Sequence, residues 1–366
     1  MRDGVLVLAL CGDVMLGRGV DQVLPHPGDP ALREEWVRDA RRYVELAEAV
    51  NGPVPRPVDP GWPWGDALPV LAAADVRIVN LETSVTRSDD FAPGKAVHYR
   101  MHPANLPALS VARPDVCVLA NNHVLDFGRR GLAETLDTLA GAGLRVAGAG
   151  RDAAGAERPA VLPVGGGRRV LVAAVGLRSS GIPGSWAATA ERSGVAYLDG
   201  LSDAAADDVL HRIERVRGER DLVVVSVHWG PNWGYETPAE ERRFAHRLID
   251  GGVDLVHGHS SHHPREIEVH AGKLVLHGCG DLVDDYEGIG GHERFRPDLR
   301  LLYLATLDAG SGRLIGLRMA PLQAQRLRLQ RASPGDCRWL RDRLAPAQGR
   351  IRTEDDGTLA LDPERG

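Results

Sequence analysis

A chain of 366 residues, 43% hydrophobic and 26% charged, has the length and balance to bury a sizeable core without disulfide or metal staples, which excludes fibrous and disordered classes. Its 44 basic and 50 acidic residues are interspersed and leave a formal charge of −6, so no basic stripe exists to neutralise a nucleic-acid backbone and no nucleic acid is expected as a partner. Cys11, Cys117, Cys279 and Cys337 stand far apart with no CxxC pair, which indicates neither a disulfide framework nor a thiolate zinc site and makes the cytoplasm the expected location.

The opening MRDGVLVLALCGD has neither the basic flank nor the small-residue cleavage site of a signal peptide, and Val5–Leu10 reads as a strand. Apolar, β-branched runs predict further strands at Val76–Val79, Val116–Leu119, Arg169–Val175, Leu222–Val227, Val253–Val256 and Leu274–Leu276. Helical spacing is found over Leu32–Val50, Gly131–Gly141, Ala204–Val216 and Pro238–Ile249, several of them closed by glycine. The alternation is that of βα repeats, a sheet layered with helices. Asn51–Gly65 and Ser179–Gly194 break the pattern, and either can form a lid. Apolar runs at Leu301–Leu307 and Leu314–Met319 and an amphipathic stretch at Arg338–Leu344 are expected to complete the core and cover an edge. The expected organisation is one domain over residues 1–325 with residues 326–366 packed on it as an extension. No run approaches the roughly 20 apolar residues needed to cross a bilayer, so no membrane span is expected.

The chemistry lies at the strand ends. VLVLAL leads to Cys11-Gly12-Asp13, VRIV to Asn80-Leu81-Glu82, VCVLA to Asn121-Asn122-His123, LVVVSV to His228-Trp229-Gly230, VDLV to His257-Gly258-His259-Ser260-Ser261-His262-His263, and KLVL to His277-Gly278-Cys279-Gly280-Asp281. Ligands of open α/β sheets bind at the carboxyl ends of strands, so these loops are expected to converge. Each motif alone reads as a turn; four histidines in the seven residues from His257 point to metal binding or proton transfer. The mixed nitrogen and oxygen donors suit one or two divalent ions of Mn, Fe or Zn, and a metal-bound water makes the expected chemistry hydrolytic. His211 and His246 read as solvated helix residues, while Trp229 and Trp233 read equally as pocket walls or core aromatics.

With these residues in view the chain resembles the capsule-biosynthesis CapA family, also called the poly-γ-glutamate synthesis family, a branch of the calcineurin-like metallophosphoesterases. The matching pieces are GDVMLGR at Gly12–Arg18, NLETSVT at Asn80–Thr86, NNHVLDFGRRGL at Asn121–Leu132, HWGPNW at His228–Trp233, GHSSHHPREIE at Gly258–Glu268 and CGDLVDDYEGIG at Cys279–Gly290. The resemblance implies a four-layer αββα metallophosphoesterase-like sandwich with a two-metal centre. It makes Asp13 the first carboxylate, puts Glu82 where the superfamily usually has a bridging Asp, and matches Asn122 and His123 to its Asn-His motif. His228 resembles the lone metal histidine, and His259 and His262 the paired ones with one extra residue between them. His123 is then the acid that protonates a leaving group.

Met15 stands where the first motif usually has His, and a thioether is a poor ligand for a hard divalent ion. The first metal would keep Asp13, Glu82 and His262; the second would keep Glu82, Asn122, His228 and His259 and bind tighter. Arg18 is expected at the mouth, forking onto a phosphate or carboxylate, with a scaffold pairing to Asp281 or Asp284 as the alternative. The expected function is a metal-dependent hydrolase or transferase acting on a phosphate ester or γ-glutamyl-type amide, with an anionic small molecule or peptide as substrate. The alternative is a non-catalytic accessory component of polymer or peptide biosynthesis. The sequence leaves the oligomeric state open.

Overall fold

The first apolar run folds into a ten-residue strand, Val5–Val14, with buried side chains on both faces along most of its length. The structure, a computed structural model, describes residues 4–344 and 351–362; residues 1–3, 345–350 and 363–366, which include part of the expected extension, lie outside it. Among the described residues Val5–Val14 is central to a ten-stranded sheet, flanked by Val76–Leu81, Val116–Val118 and Arg145–Ala147 on one side and by Leu299–Asp308 and Leu314–Ala324 on the other. A seven-stranded sheet is built around Arg168–Leu177, Leu222–His228, Leu255–His259 and Lys273–Leu276.

Alternation of side chains explains the layering. Leu6, Leu8, Leu10, Ile78 and Val116 share one core with Val170, Val172, Val224 and Leu255, so the two sheets face each other. On the outer face of the first sheet, Val79, Cys117 and Leu119 pack against Leu132 and Leu139 of the helix Gly128–Gly141. On the outer face of the second, Val223, Val225 and Val256 pack under Val209 and Ile213 of Asp203–Glu214 and Phe244 and Leu248 of Ala239–Asp250. The result is the expected αββα order. Each such fully buried Val, Leu or Phe contributes about 1.5–3 kcal/mol relative to an exposed one.

Register then aligns the chemistry. Asp13 lies opposite Asn80 on one neighbour and Asp281 on the other, and His228 lies opposite His259. The approach at Asp13 is close: its N–H donates to the Gly280 carbonyl at 3.0 Å, and a Cβ on Gly12 would stand 1.7 Å from that oxygen. Only glycine fits there.

Several expectations are corrected. The helix expected over Leu32–Val50 begins only at Arg41, because Leu32 N–H donates to the Arg38 carbonyl in a turn and the Asp39 carboxylate takes the Arg41 N–H. The strand expected at Val253–Val256 is Leu255–His259, shifted by the Gly251-Gly252 turn, where Gly252 has φ +99°. Asn51–Gly65 is no lid: Trp62 and Trp64 donate their indole N–H groups to the Arg326 and Ala108 carbonyls at 3.0 and 2.6 Å. Within residues 326–362, Pro334–Leu344 is a helix burying Cys337, Leu340 and Leu344, and Leu359–Leu361 extends the first sheet beside Leu314–Ala324. No helix among the described residues is long and apolar enough to cross a membrane.

His211 is exposed as expected, but His246 is half-buried: its ring stacks on His270 at 3.8 Å and its Nε2 lies 2.6 Å from Glu268. Burial by itself would raise the Glu268 carboxyl, but hydrogen bonds from His277 and His246 and the charge of Arg242 outweigh it and bring its pKa down to about 2. A depressed folded pKa stabilises the fold above the unfolded value of about 4.3, and that contribution disappears as pH falls through about 2. Glu268→Gln is therefore expected to lower Tm near neutrality and to converge with the unmodified protein between about pH 4.5 and 2. Parallel Tm profiles across that window would contradict the assignment.

Candidate metal centre

The carboxyl ends of both sheets open on one cleft. Asn80, buried beside Asp13, donates through Nδ2 to Asp13 Oδ1 at 2.7 Å and to Glu82 Oε2 at 2.9 Å, tying the two carboxylates together. Glu82 Oε1 lies 3.8 Å from His228 Nε2 and 3.9 Å from His123 Nε2. His228 reaches Asn122 Oδ1 at 3.0 Å and His259 Nδ1 at 2.7 Å, and His259 Nδ1 is 3.9 Å from Asp13 Oδ1. His262 Nδ1 meets Asp281 Oδ1 at 2.8 Å. The six residues expected as ligands thus surround one space, although they come from all along the chain.

Two groups here could hold a metal ion, Asp13 with His228 and His259, and Asp13 with His262 and Asp281; within each, one donor atom per residue lies within 4.8 Å of the others. Asp13, rather than Glu82, is common to both. Asp281, expected at a converging strand end and as an alternative partner for Arg18 but not among the ligands, joins the second group. Its signal was nonetheless present, since Cys279-Gly280-Asp281 repeats Cys11-Gly12-Asp13 and lies beside it in parallel register.

The residues fit a divalent cation. Asp13 Oδ2 and Asp281 Oδ2 are buried without a hydrogen-bond partner, a costly condition for carboxylate oxygens. His228 faces an acceptor with each ring nitrogen if His259 Nδ1 bears a lone pair, and a neutral imidazole can satisfy only one of them. Burial, and next the charge of Asp281, raise the Asp13 carboxyl to about 7; burial and Asp13 hold Glu82 well above the usual carboxylate range. Burial pushes His228 and His259 well below the usual histidine value, leaving the neutral form that ligates metal. A cation among these groups would relieve both the carboxylate repulsion and the orphaned oxygens.

A buried relay orients His259. The Cys11 carbonyl can only accept, so His257 Nε2, 2.9 Å away, carries the proton and His257 Nδ1 accepts. Ser226 Oγ, 3.1 Å from that Nδ1, donates to it and accepts from His259 Nε2 at 2.8 Å. His259 Nδ1 is left with its lone pair directed at His228 and Asp13. Ser226 and His257 are fully buried.

His123 and Arg18 take different places. His123 Nδ1 is held by Asp126 Oδ2 at 2.6 Å and stands 3.2 Å from Lys95 Nζ, with Nε2 towards Glu82; burial outweighs Asp126 and brings its pKa down to about 4. Arg18 is buried, forks onto Asp285 through Nε and Nη2 at 3.1 and 2.5 Å, and donates from Nη1 to Glu34 at 3.0 Å. Tyr43 and Tyr99 stack on its guanidinium at 3.8 and 4.4 Å. The pairing is of scaffold type, but with Asp285; Asp284 pairs with Arg300 instead. Trp229 is a core residue donating to the His277 carbonyl. Trp233 is half-buried and walls a pocket beside His262. Of the two segments read as able to form a lid, Ser179–Gly194 borders the cleft, with Ser180 Oγ 2.9 Å from the His228 carbonyl and Gly181 lining the site.

Comparison with known proteins assigns the lineage. Residues 7–286 match the model of the bacterial capsule synthesis protein PGA_cap. The chain belongs to the PGA_cap family. A Mycobacterium tuberculosis relative named as a probable polyglutamine synthesis accessory protein is 55% identical over 98% of this chain and 96% of its own. The PGA biosynthesis protein CapA of Bacillus subtilis is 26% identical over 77% of this PGA_cap chain and 64% of its own. A solved structure described as a novel phosphatase of Mycoplasma pneumoniae aligns with a TM-score of 0.43 at 12% identity, over 87% of this chain and 94% of that one.

Proposed function

We propose that this PGA_cap protein is a divalent-metal-dependent hydrolase or transferase acting on a phosphate ester or a γ-glutamyl-type amide. Asp13, Glu82, Asn122, His228, His259 and His262 are its metal ligands, with Asp281 added to them. The observation that carries the reading is the pair of buried, unpartnered oxygens of Asp13 and Asp281 beside three ring nitrogens. Imidazole and carboxylate donors together suit Mn, Fe or Zn. Such an ion, when bound, supplies Lewis acidity and a water acidic enough to act near neutral pH.

The chain's own residues supply orientation and proton transfer. His123 is neutral at rest, so its Nε2 accepts the proton released by the attacking water, Asp126 offsets the resulting charge through Nδ1, and the same Nε2 passes that proton to the departing oxygen or nitrogen. Arg18 is assigned a positioning role: through Tyr99, whose hydroxyl donates to Tyr286 at 2.7 Å, it fixes a wall of the cleft.

The accessory role in the name of the M. tuberculosis relative supports a second reading, in which the protein binds a partner in polymer synthesis without turnover. Metal analysis of the purified protein, followed by a screen of phosphate esters and γ-glutamyl amides with and without chelator, separates the two. The hydrolase reading expects a retained divalent ion and chelator-sensitive turnover; metal-free protein with no turnover after reconstitution would favour the accessory role.

A further inference from the structure

Beside the metal cleft lies a pocket of about 190 Å³ walled by Trp233, Tyr286, Ile289, His292 and Pro297. Asn232, His262 and Tyr286 line both this pocket and the cleft that holds Glu82 and His123, so the two form one continuous groove with His262 at the junction. No Lys, Arg, Asp or Glu lines the pocket. In the adjoining cleft Lys95 is the cation among the lining residues, and it is already paired with the buried Asp126 at 2.6 Å.

The walls are rich in aromatic rings. Trp233 stacks face to face with the His292 ring, centroids 3.9 Å apart and planes 9° apart, and His263 lies nearly parallel to Trp233 at 6.0 Å. Their backbone is fixed: the Asn232 carbonyl accepts from His262 N–H at 2.9 Å and Gly234 N–H donates to His263 at 3.1 Å. An apolar cavity of about 150 Å³ is enough to hold benzene, so this pocket has room for a single ring.

We propose that the substrate, besides the group bound at the metal centre, carries a neutral planar ring that seats in this pocket against the edge of the Trp233–His292 stack, and that a polyanionic chain is not what this groove accommodates. The inference rests on the metal-site reading above and deepens it by naming the substrate class, an aryl or heteroaryl ester or amide. Charge argues the same way as shape. Beyond the metal centre itself, successive carboxylates of a γ-glutamate chain would meet an apolar wall and a lysine already paired, and an interface for a polyanion needs a run of unpaired positive charge. A ring gains edge-to-face aromatic contact and apolar burial instead.

The test compares phenylphosphonate, methylphosphonate and a γ-glutamate hexamer by calorimetry on the Mn-loaded protein, and benzamide by Trp fluorescence on the metal-free protein. Phenylphosphonate is expected to bind about tenfold tighter than methylphosphonate, a ratio that Trp233→Ala brings close to one and Trp233→Phe largely keeps. Equal affinities, a ratio untouched by Trp233→Ala, or tighter binding of the hexamer would overturn the proposal. Benzamide is expected to bind without metal and to lose that binding in Trp233→Ala. This keeps the ring pocket testable where neither phosphonate binds, an outcome that counts against the metal reading alone; absence of benzamide binding counts against the pocket.

Discussion

Asp13→Asn is expected to release both metal equivalents, whereas Asp281→Asn releases one. Asp13 belongs to both ligand sets, and Asp281 only to the set with His262. The amide keeps the volume and one acceptor but removes the charge, and a nitrogen in place of Oδ2 has no lone pair for a cation. The Met15 side chain bears on the second half of the expectation. It is buried, with its sulfur 3.8 Å from the Tyr286 hydroxyl, and adds no hard donor. The asymmetry expected from that loss is offset by Asp281, whose unpartnered oxygen stands in the same ligand set as His262. Two equivalents of Mn or Zn are therefore expected on titration of the apoprotein. Removal of a direct ligand should weaken binding beyond the roughly 10–100-fold typical of residues that only orient ligands. Competition titration against a chelator measures it. One equivalent lost in Asp13→Asn, or both in Asp281→Asn, would show that the sharing is wrongly assigned.

Where a residue's position depends on its place at the end of a strand, the sequence is readable. The strand-then-polar pattern marked Asp13, Glu82, Asn122, His228, His259 and His262 because parallel strands end on the same side of a sheet, whatever their separation along the chain. The twofold Cys-Gly-Asp is the same signal in smaller form. Roles that depend on a distant partner were not readable. Arg18 and Asp285 are 267 positions apart, and nothing local distinguishes a guanidinium that will meet a substrate from one that will be enclosed by Tyr43, Tyr99 and two carboxylates. The helix expected from Leu32 failed for a different reason: its apolar spacing was adequate, but short polar contacts at Asp39 offered the backbone another set of hydrogen bonds. Ser226 was invisible because it interrupts the apolar run LVVVSVH as one small residue, and a serine in a strand ordinarily means no more than tolerance of burial.

Ser226 nevertheless supports the second large expected effect. Ser226→Ala removes the oxygen that both receives His259 Nε2–H and serves His257 Nδ1, leaving two buried imidazole nitrogens unpaired. The fold is expected to lose about 1–3 kcal/mol for the groups left unsatisfied. A larger consequence follows at the metal centre. Without the hydroxyl, nothing forces the proton of His259 onto Nε2, so the Nδ1 lone pair facing Asp13 is no longer guaranteed, and metal affinity should fall about 10–100-fold. The loss should be confined to the ion held by His228 and His259, since His262 and Asp281 are oriented by each other at 2.8 Å. Ser226→Thr keeps the hydroxyl and is expected to retain most of the affinity despite the added methyl. Nitrogen-15 NMR of the histidine rings reads the tautomers directly: His259 protonated on Nε2 in the unmodified apoprotein and in Ser226→Thr, mixed in Ser226→Ala. An unchanged tautomer and unchanged metal affinity in Ser226→Ala would remove the relay from the account of how His259 is held.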